Sequence, residues 1–178
     1  MRTKPFPLTY EAMRGRRKPE TFIAKALKNS GGIRFGPGIA SQLSANFRRL
    51  EDGEWRRTLQ QCNRLRKPVS QAVEKEVAEY IQETFHGFGP KQSRNLLQAL
   101  GLTRYEIPID SRVTDWLNEF GFPVRLTAAG LADGNYYDFI SDGIQALCAA
   151  SDVYPCVLDA AIFALRDGDS WTEANAIY

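Results

Sequence analysis

The chain has 178 residues, 43% of them apolar and 11% aromatic, which suits about one packed domain and is too apolar for a disordered chain. No apolar run approaches the roughly 18 residues needed to span a bilayer, and Met1–Pro7 is basic and proline-containing; three cysteines (Cys62, Cys148, Cys156) without a close CxxC pair exclude a disulfide scaffold and a zinc finger, so a protein without membrane contact or secretory signal, in a reducing, cytoplasmic (in a eukaryote, nuclear) setting, is expected. The net charge of +2 hides an asymmetry, since residues 1–67 carry 16 Lys or Arg against 5 Asp or Glu and residues 68–178 carry 7 against 16; this suggests a polyanion on one face, or else a basic lobe packed on an acidic one.

Residues 1–19 carry Pro5, Pro7 and Pro19 and the run Arg14, Arg16, Arg17, Lys18. They read as an irregular basic arm that touches phosphates or is simply solvated. Residues 20–178 read as a single domain in which helical spacing dominates. Glu20–Lys28 places Phe22, Ile23, Ala26 and Leu27 on one face. Asn29-Ser30-Gly31-Gly32 and Phe35-Gly36-Pro37-Gly38 read as turns. Helices are expected over Ile39–Leu50, Glu54–Leu65, Val69–Phe85, after Pro90 up to Gly101, and over Asp110–Phe120, Tyr136–Ala149 and Pro155–Leu165. Trp55, Trp116 and Trp171 sit on helical faces and are expected in the core. With no alternating strand pattern, the fold class is all-α, with about eight or nine helices.

The segment His86-Gly87-Phe88-Gly89-Pro90-Lys91 lies between two amphipathic helices. Gly87 and Gly89 permit backbone angles closed to other residues, and Pro90 suits a first helical position. The result is a helix-hairpin-helix over about residues 70–101, whose second helix starts as an anion site suited to a DNA phosphate; an ordinary glycine connection is the alternative. Lys91 stands in the first turn, where the dipole disfavours a cation and so favours a neutral, nucleophilic amine, or where a fixed cation holds phosphate. Nineteen positions later, after Ile107-Pro108-Ile109, Asp110 is placed to N-cap the next helix. Two such helix starts can converge on one cleft.

These residues resemble the helix-hairpin-helix (HhH-GPD) DNA glycosylases, most closely the 8-oxoguanine branch. The resemblance covers roughly residues 70–122, and more weakly 20–70 and 130–167. It implies two helical lobes flanking a DNA-binding cleft, a monomer, and duplex DNA with a damaged base as partner. In that reading Lys91 attacks C1′ of an extruded nucleotide and forms a Schiff base. Asp110 stabilises the oxocarbenium-like charge, and β-elimination nicks the strand. The resemblance also implies phosphate contacts from Gly87, Gly89 and Arg112, the last standing where the 8-oxoguanine branch usually has histidine; His86, beside the hairpin, either touches phosphate as well or is structural. A late-helix pattern, Asp159-Ala160-Ala161-Ile162-Phe163, is similar to the Gln-x-x-x-Phe of animal-type members. It implies that Asp159 reads the base edge and Phe163 stacks on it, although a surface and a core role are equally open. Asn29 and Arg34 are candidates for the wedge that fills the gap left by the base. The four-cysteine cluster of the iron–sulfur members is absent, so no Fe–S cluster, metal or other cofactor is expected. A glycosylase for another oxidised or modified base, and a non-enzymatic DNA-binding module, are the alternatives.

Overall fold

The computed structural model describes residues 7–30 and 36–167. Arg34 and Trp171 lie outside them. Every regular element among the described residues is helical: α1 (Tyr10–Met13), α2 (Pro19–Ser30), α3 (Gly36–Arg49), α4 (Trp55–Arg64), α5 (Gln71–Thr84), α6 (Pro90–Ala99), α7 (Ser111–Phe120), α8 (Gly134–Ala150) and α9 (Pro155–Asp167), with a π-helical turn at Leu50–Glu54 and a short 3-10 turn at Gly130–Ala132. The all-α reading therefore stands, with three local corrections. The expected irregular arm contains α1, which starts where the Thr9 hydroxyl accepts the Ala12 N–H at 3.2 Å. Gly36-Pro37-Gly38 is the first turn of α3 rather than a connection, because proline costs nothing where the N–H has no helical partner anyway. Trp55 is 57% exposed instead of buried, on a helix that buries none of its residues.

The chain divides into two compact units: Met1–Leu59 with Phe85–Gly87, and Gln60–Thr84 with Phe88–Tyr178. In the first, α2 packs on α3 around Ile23, Leu27 and Ala40, the i, i+4 stripe that the sequence shows. Asn46, buried on α3, donates to the His86 carbonyl and accepts the His86 N–H, each at 2.8 Å. This two-pronged contact fixes the backbone just before Gly87.

The second unit is built on Ile107, Ile109, Val113, Leu117, Tyr137, Ile140, Ile144 and Ile162. Each such side chain taken fully from water stabilises the unit by about 1.5–3 kcal/mol. Helix α7 is bounded by chemistry legible in the sequence. Asp110 caps its start, and Gly121 ends it at φ +89, donating to the Leu117 carbonyl; a left-handed C-cap is glycine's common place.

Candidate active site

Helices α6 and α7 are joined by an extended segment, Thr103–Asp110, most of which is buried. Its position is set by polar groups inside the second unit. Glu74, 2% exposed on α5, accepts the backbone N–H groups of Arg104, Tyr105 and Glu106 at 2.8–3.0 Å. Tyr137, fully buried on α8, accepts the Ile109 N–H and donates to the Ile107 carbonyl, both at 2.9 Å. Burial holds that hydroxyl protonated, far above the usual tyrosine range, against the smaller pull of the Ile109 hydrogen bond and the Arg94 charge. The same segment carries Glu106, whose carboxylate meets Arg94 Nε at 2.5 Å and Gln145 Nε2 at 3.1 Å. Burial pushes the Glu106 carboxyl up and the Arg94 charge opposes it. Arg94 in turn donates to the Pro90 carbonyl at 3.1 Å and lies over the Tyr137 ring. One buried arginine thus ties the first turn of α6, which holds Lys91, to the segment that ends in Asp110. Breaking such a pair by removing one partner costs about 3–5 kcal/mol.

At the end of that segment Asp110 divides its two oxygens. Oδ1 accepts the N–H groups of Arg112 and Val113 at 2.8 and 3.1 Å, capping α7. Oδ2 is met by Arg112 Nε at 3.0 Å and Nη2 at 2.9 Å. Arg112, expected at a phosphate, is therefore engaged by Asp110, and its guanidinium also lies 4.3 Å from the centre of the Phe163 ring.

Lys91 and Asp110 line the same two pockets. One, of about 720 Å³, is also walled by Gly89, Ser111, Thr114 and Arg125. The other, of about 290 Å³, is walled by Gln98, Arg112, Asp159 and Phe163 as well. Five of the residues singled out in the sequence, Lys91, Asp110, Arg112, Asp159 and Phe163, thus share one pocket. In it Asp159 Oδ2 accepts Gln98 Nε2 at 2.7 Å. Burial raises the Asp159 carboxyl above the ordinary carboxylate range; the Gln98 hydrogen bond opposes this, the Asp110 charge adds to it and the Arg112 charge opposes it. Phe163 is 44% exposed, so it is not a core residue.

The hairpin residues behave differently from one another. Gly87 takes φ +81, and a Cβ there would lie 2.6 Å from Gln42 Oε1. Gly89 has φ −81 and ψ −175, ordinary extended backbone, with nothing within 4 Å of where its Cβ would be. Only Gly87 needs glycine. The start of α6 has no side-chain cap, so its first N–H groups are left for water or a ligand. The His86 and Gly87 positions are exposed and belong to the first unit. Asn29 is exposed in the last turn of α2, while Arg34 lies outside the described residues, so the pair is not seen together. Among the described residues no group of three or more His, Cys, Asp or Glu side chains could hold a metal ion. No single described helix is long and apolar enough to cross a membrane.

Sequence reasoning passed over Glu74, Arg94, Glu106, Tyr137 and Gln98. A signal existed for two of them. Glu74 falls three residues before Val77 and seven before Ile81, and Arg94 three before Leu97; each is a charge on an otherwise apolar stripe, the pattern of a paired, buried ion. Comparison of the chain with protein-family models, curated proteins and solved structures gives no match.

Proposed function

We propose that the chain is a base-excision DNA glycosylase with β-elimination lyase activity, of the helix-hairpin-helix kind, acting on an oxidised purine, 8-oxoguanine, extruded from duplex DNA. The observation that carries this reading is the pocket shared by Lys91 and Asp110, two residues 19 positions apart at the starts of consecutive helices. Lys91 Nζ makes no hydrogen bond or ion pair with a described residue, which leaves it available to attack C1′. As the C1′–N bond breaks, positive charge develops on the sugar, and the Asp110 carboxylate stabilises it at short range. The amine forms the new bond to C1′, the sugar ring opens to a Schiff base, and loss of the 2′ proton expels the 3′ phosphate. The basic charge of the first 67 residues would meet phosphate.

The pocket also suits a purine by chemistry. Asp159 offers an acceptor for N–H groups on a guanine edge, and Phe163 offers an aromatic face. The other bases named above differ from this reading only at that edge. The non-enzymatic reading draws support from the capping role of Asp110, which explains an aspartate there without catalysis.

Asp110→Asn separates the two. Asparagine caps as well as aspartate, so folding is expected to change by less than about 1 kcal/mol, while release of free base from an 8-oxoguanine duplex falls at least a hundredfold. Undiminished release from this variant would remove Asp110 from the chemistry.

A further inference from the structure

We propose that Arg112 stands in the place of the extruded base and withholds Asp110 until a base displaces it. The proposal rests on the glycosylase reading of the pocket and adds to it how the site is switched on.

Three contacts carry it. The guanidinium lies 4.3 Å from the centre of the Phe163 ring, on an aromatic face offered to the pocket. Its Nε and Nη2 both meet Asp110 Oδ2, at 3.0 and 2.9 Å. The other oxygen of Asp110 is committed to the helix cap. Oδ2 is therefore the one left for an oxocarbenium-like sugar, and Arg112 neutralises it. A planar guanidinium over an aromatic ring also fills a base-shaped slot. A base that stacks on this face of Phe163 must push the guanidinium aside, and the same displacement uncovers Oδ2.

The magnitudes allow this exchange. The Arg112 side chain is 37% exposed and that of Asp110 17%. Such a partly solvated ion pair and a cation–π contact together contribute about tenfold to the closed arrangement. Stacking a base on an aromatic ring is worth about five- to over a hundredfold. A base can therefore open the site, whereas an abasic sugar, with nothing to stack, cannot. Arg112 thereby makes carboxylate availability depend on a flat base in the slot, an induced-fit form of selectivity.

The test is borohydride trapping by the full chain on two duplexes, one carrying 8-oxoguanine and one a preformed abasic site. Arg112→Ala is expected to raise the ratio of abasic to lesion trapping rates three- to tenfold over the unsubstituted chain. Arg112→Lys, which keeps a charge near Asp110 and loses the flat stack, is expected to fall between the two. A ratio unchanged or lowered in both variants overturns the proposal, and an equal loss on both duplexes would make Arg112 only a support for Asp110. If the unsubstituted chain traps neither duplex, the glycosylase reading itself fails and the proposal falls with it; an adduct that forms without the change in ratio refutes the proposal alone.

Discussion

Replacing Glu74 tests whether the approach to Asp110 is held from outside the pocket. The carboxylate makes four contacts to three backbone N–H groups, those of Arg104, Tyr105 and Glu106, at a side chain only 2% exposed. Glu74→Ala leaves three donors without their acceptor. Each unsatisfied buried donor costs about 1–3 kcal/mol, and the exposed edge near Arg104 admits some water, so a loss of about 2–5 kcal/mol is expected. Glu74→Gln keeps one oxygen for the three donors and removes the charge. Because charge-assisted hydrogen bonds are about twice as strong as neutral ones, its loss is expected to be smaller, about 1–3 kcal/mol. Against a domain stability of about 5–15 kcal/mol, both are readable from urea unfolding followed by circular dichroism, as a lowered midpoint at constant slope. A loss under about 1 kcal/mol for Glu74→Ala, or a glutamine variant less stable than the alanine one, would refute the reasoning.

The two hairpin glycines should part company. Gly87→Ala forces a side chain into positive φ against Gln42 and is expected to cost about 1–2 kcal/mol, while Gly89→Ala, at ordinary φ in open space, is expected to stay within about 0.5 kcal/mol; equal costs in a melting experiment would contradict the assignment. Asp159 supplies a pH test. Its carboxyl is raised, first by burial, so the neutral form suits the folded state, and its contribution is present below the ordinary carboxylate value and lost as pH rises through the raised one. Asp159→Asn is therefore expected to melt higher relative to the unsubstituted chain at pH 7 than at pH 4, and a difference that grows on acidification would reverse the argument.

Much of the helical layout was legible because it depends on local chemistry. Asp110 and Gly121 bracket α7 with a cap at each end, and the Ile23–Leu27 stripe marks the buried face of α2. The failures were also local. Gly36-Pro37-Gly38 carries the residues of a turn, yet glycine and proline are tolerated at a helix start, where backbone donors have no partner. Within the candidate site, the spacing of Lys91 and Asp110 marked two residues that line one pocket, which Asp159 and Phe163 line as well. What holds them was not. Glu74 reaches 30–32 residues along the chain to its donors, and Arg94 spans 44 residues to Asp138. Pairings at such separations leave no periodic trace beyond a charge on an apolar stripe. The engagement of Arg112 by both Asp110 and Phe163 was equally hidden, because an arginine two places after a cap looks like a free cation until α9 is laid beside it.

The central claim is that the Lys91 amine attacks an extruded nucleotide. The most direct measurement is borohydride trapping with a panel of lesion duplexes, comparing the unsubstituted chain with Lys91→Gln. The account predicts a covalent protein–DNA adduct with an oxidised-purine duplex, absent from the variant although that variant still folds, since Lys91 has no described ion-pair partner to lose. An adduct of undiminished yield in Lys91→Gln, or none from the unsubstituted chain on any lesion, would contradict it.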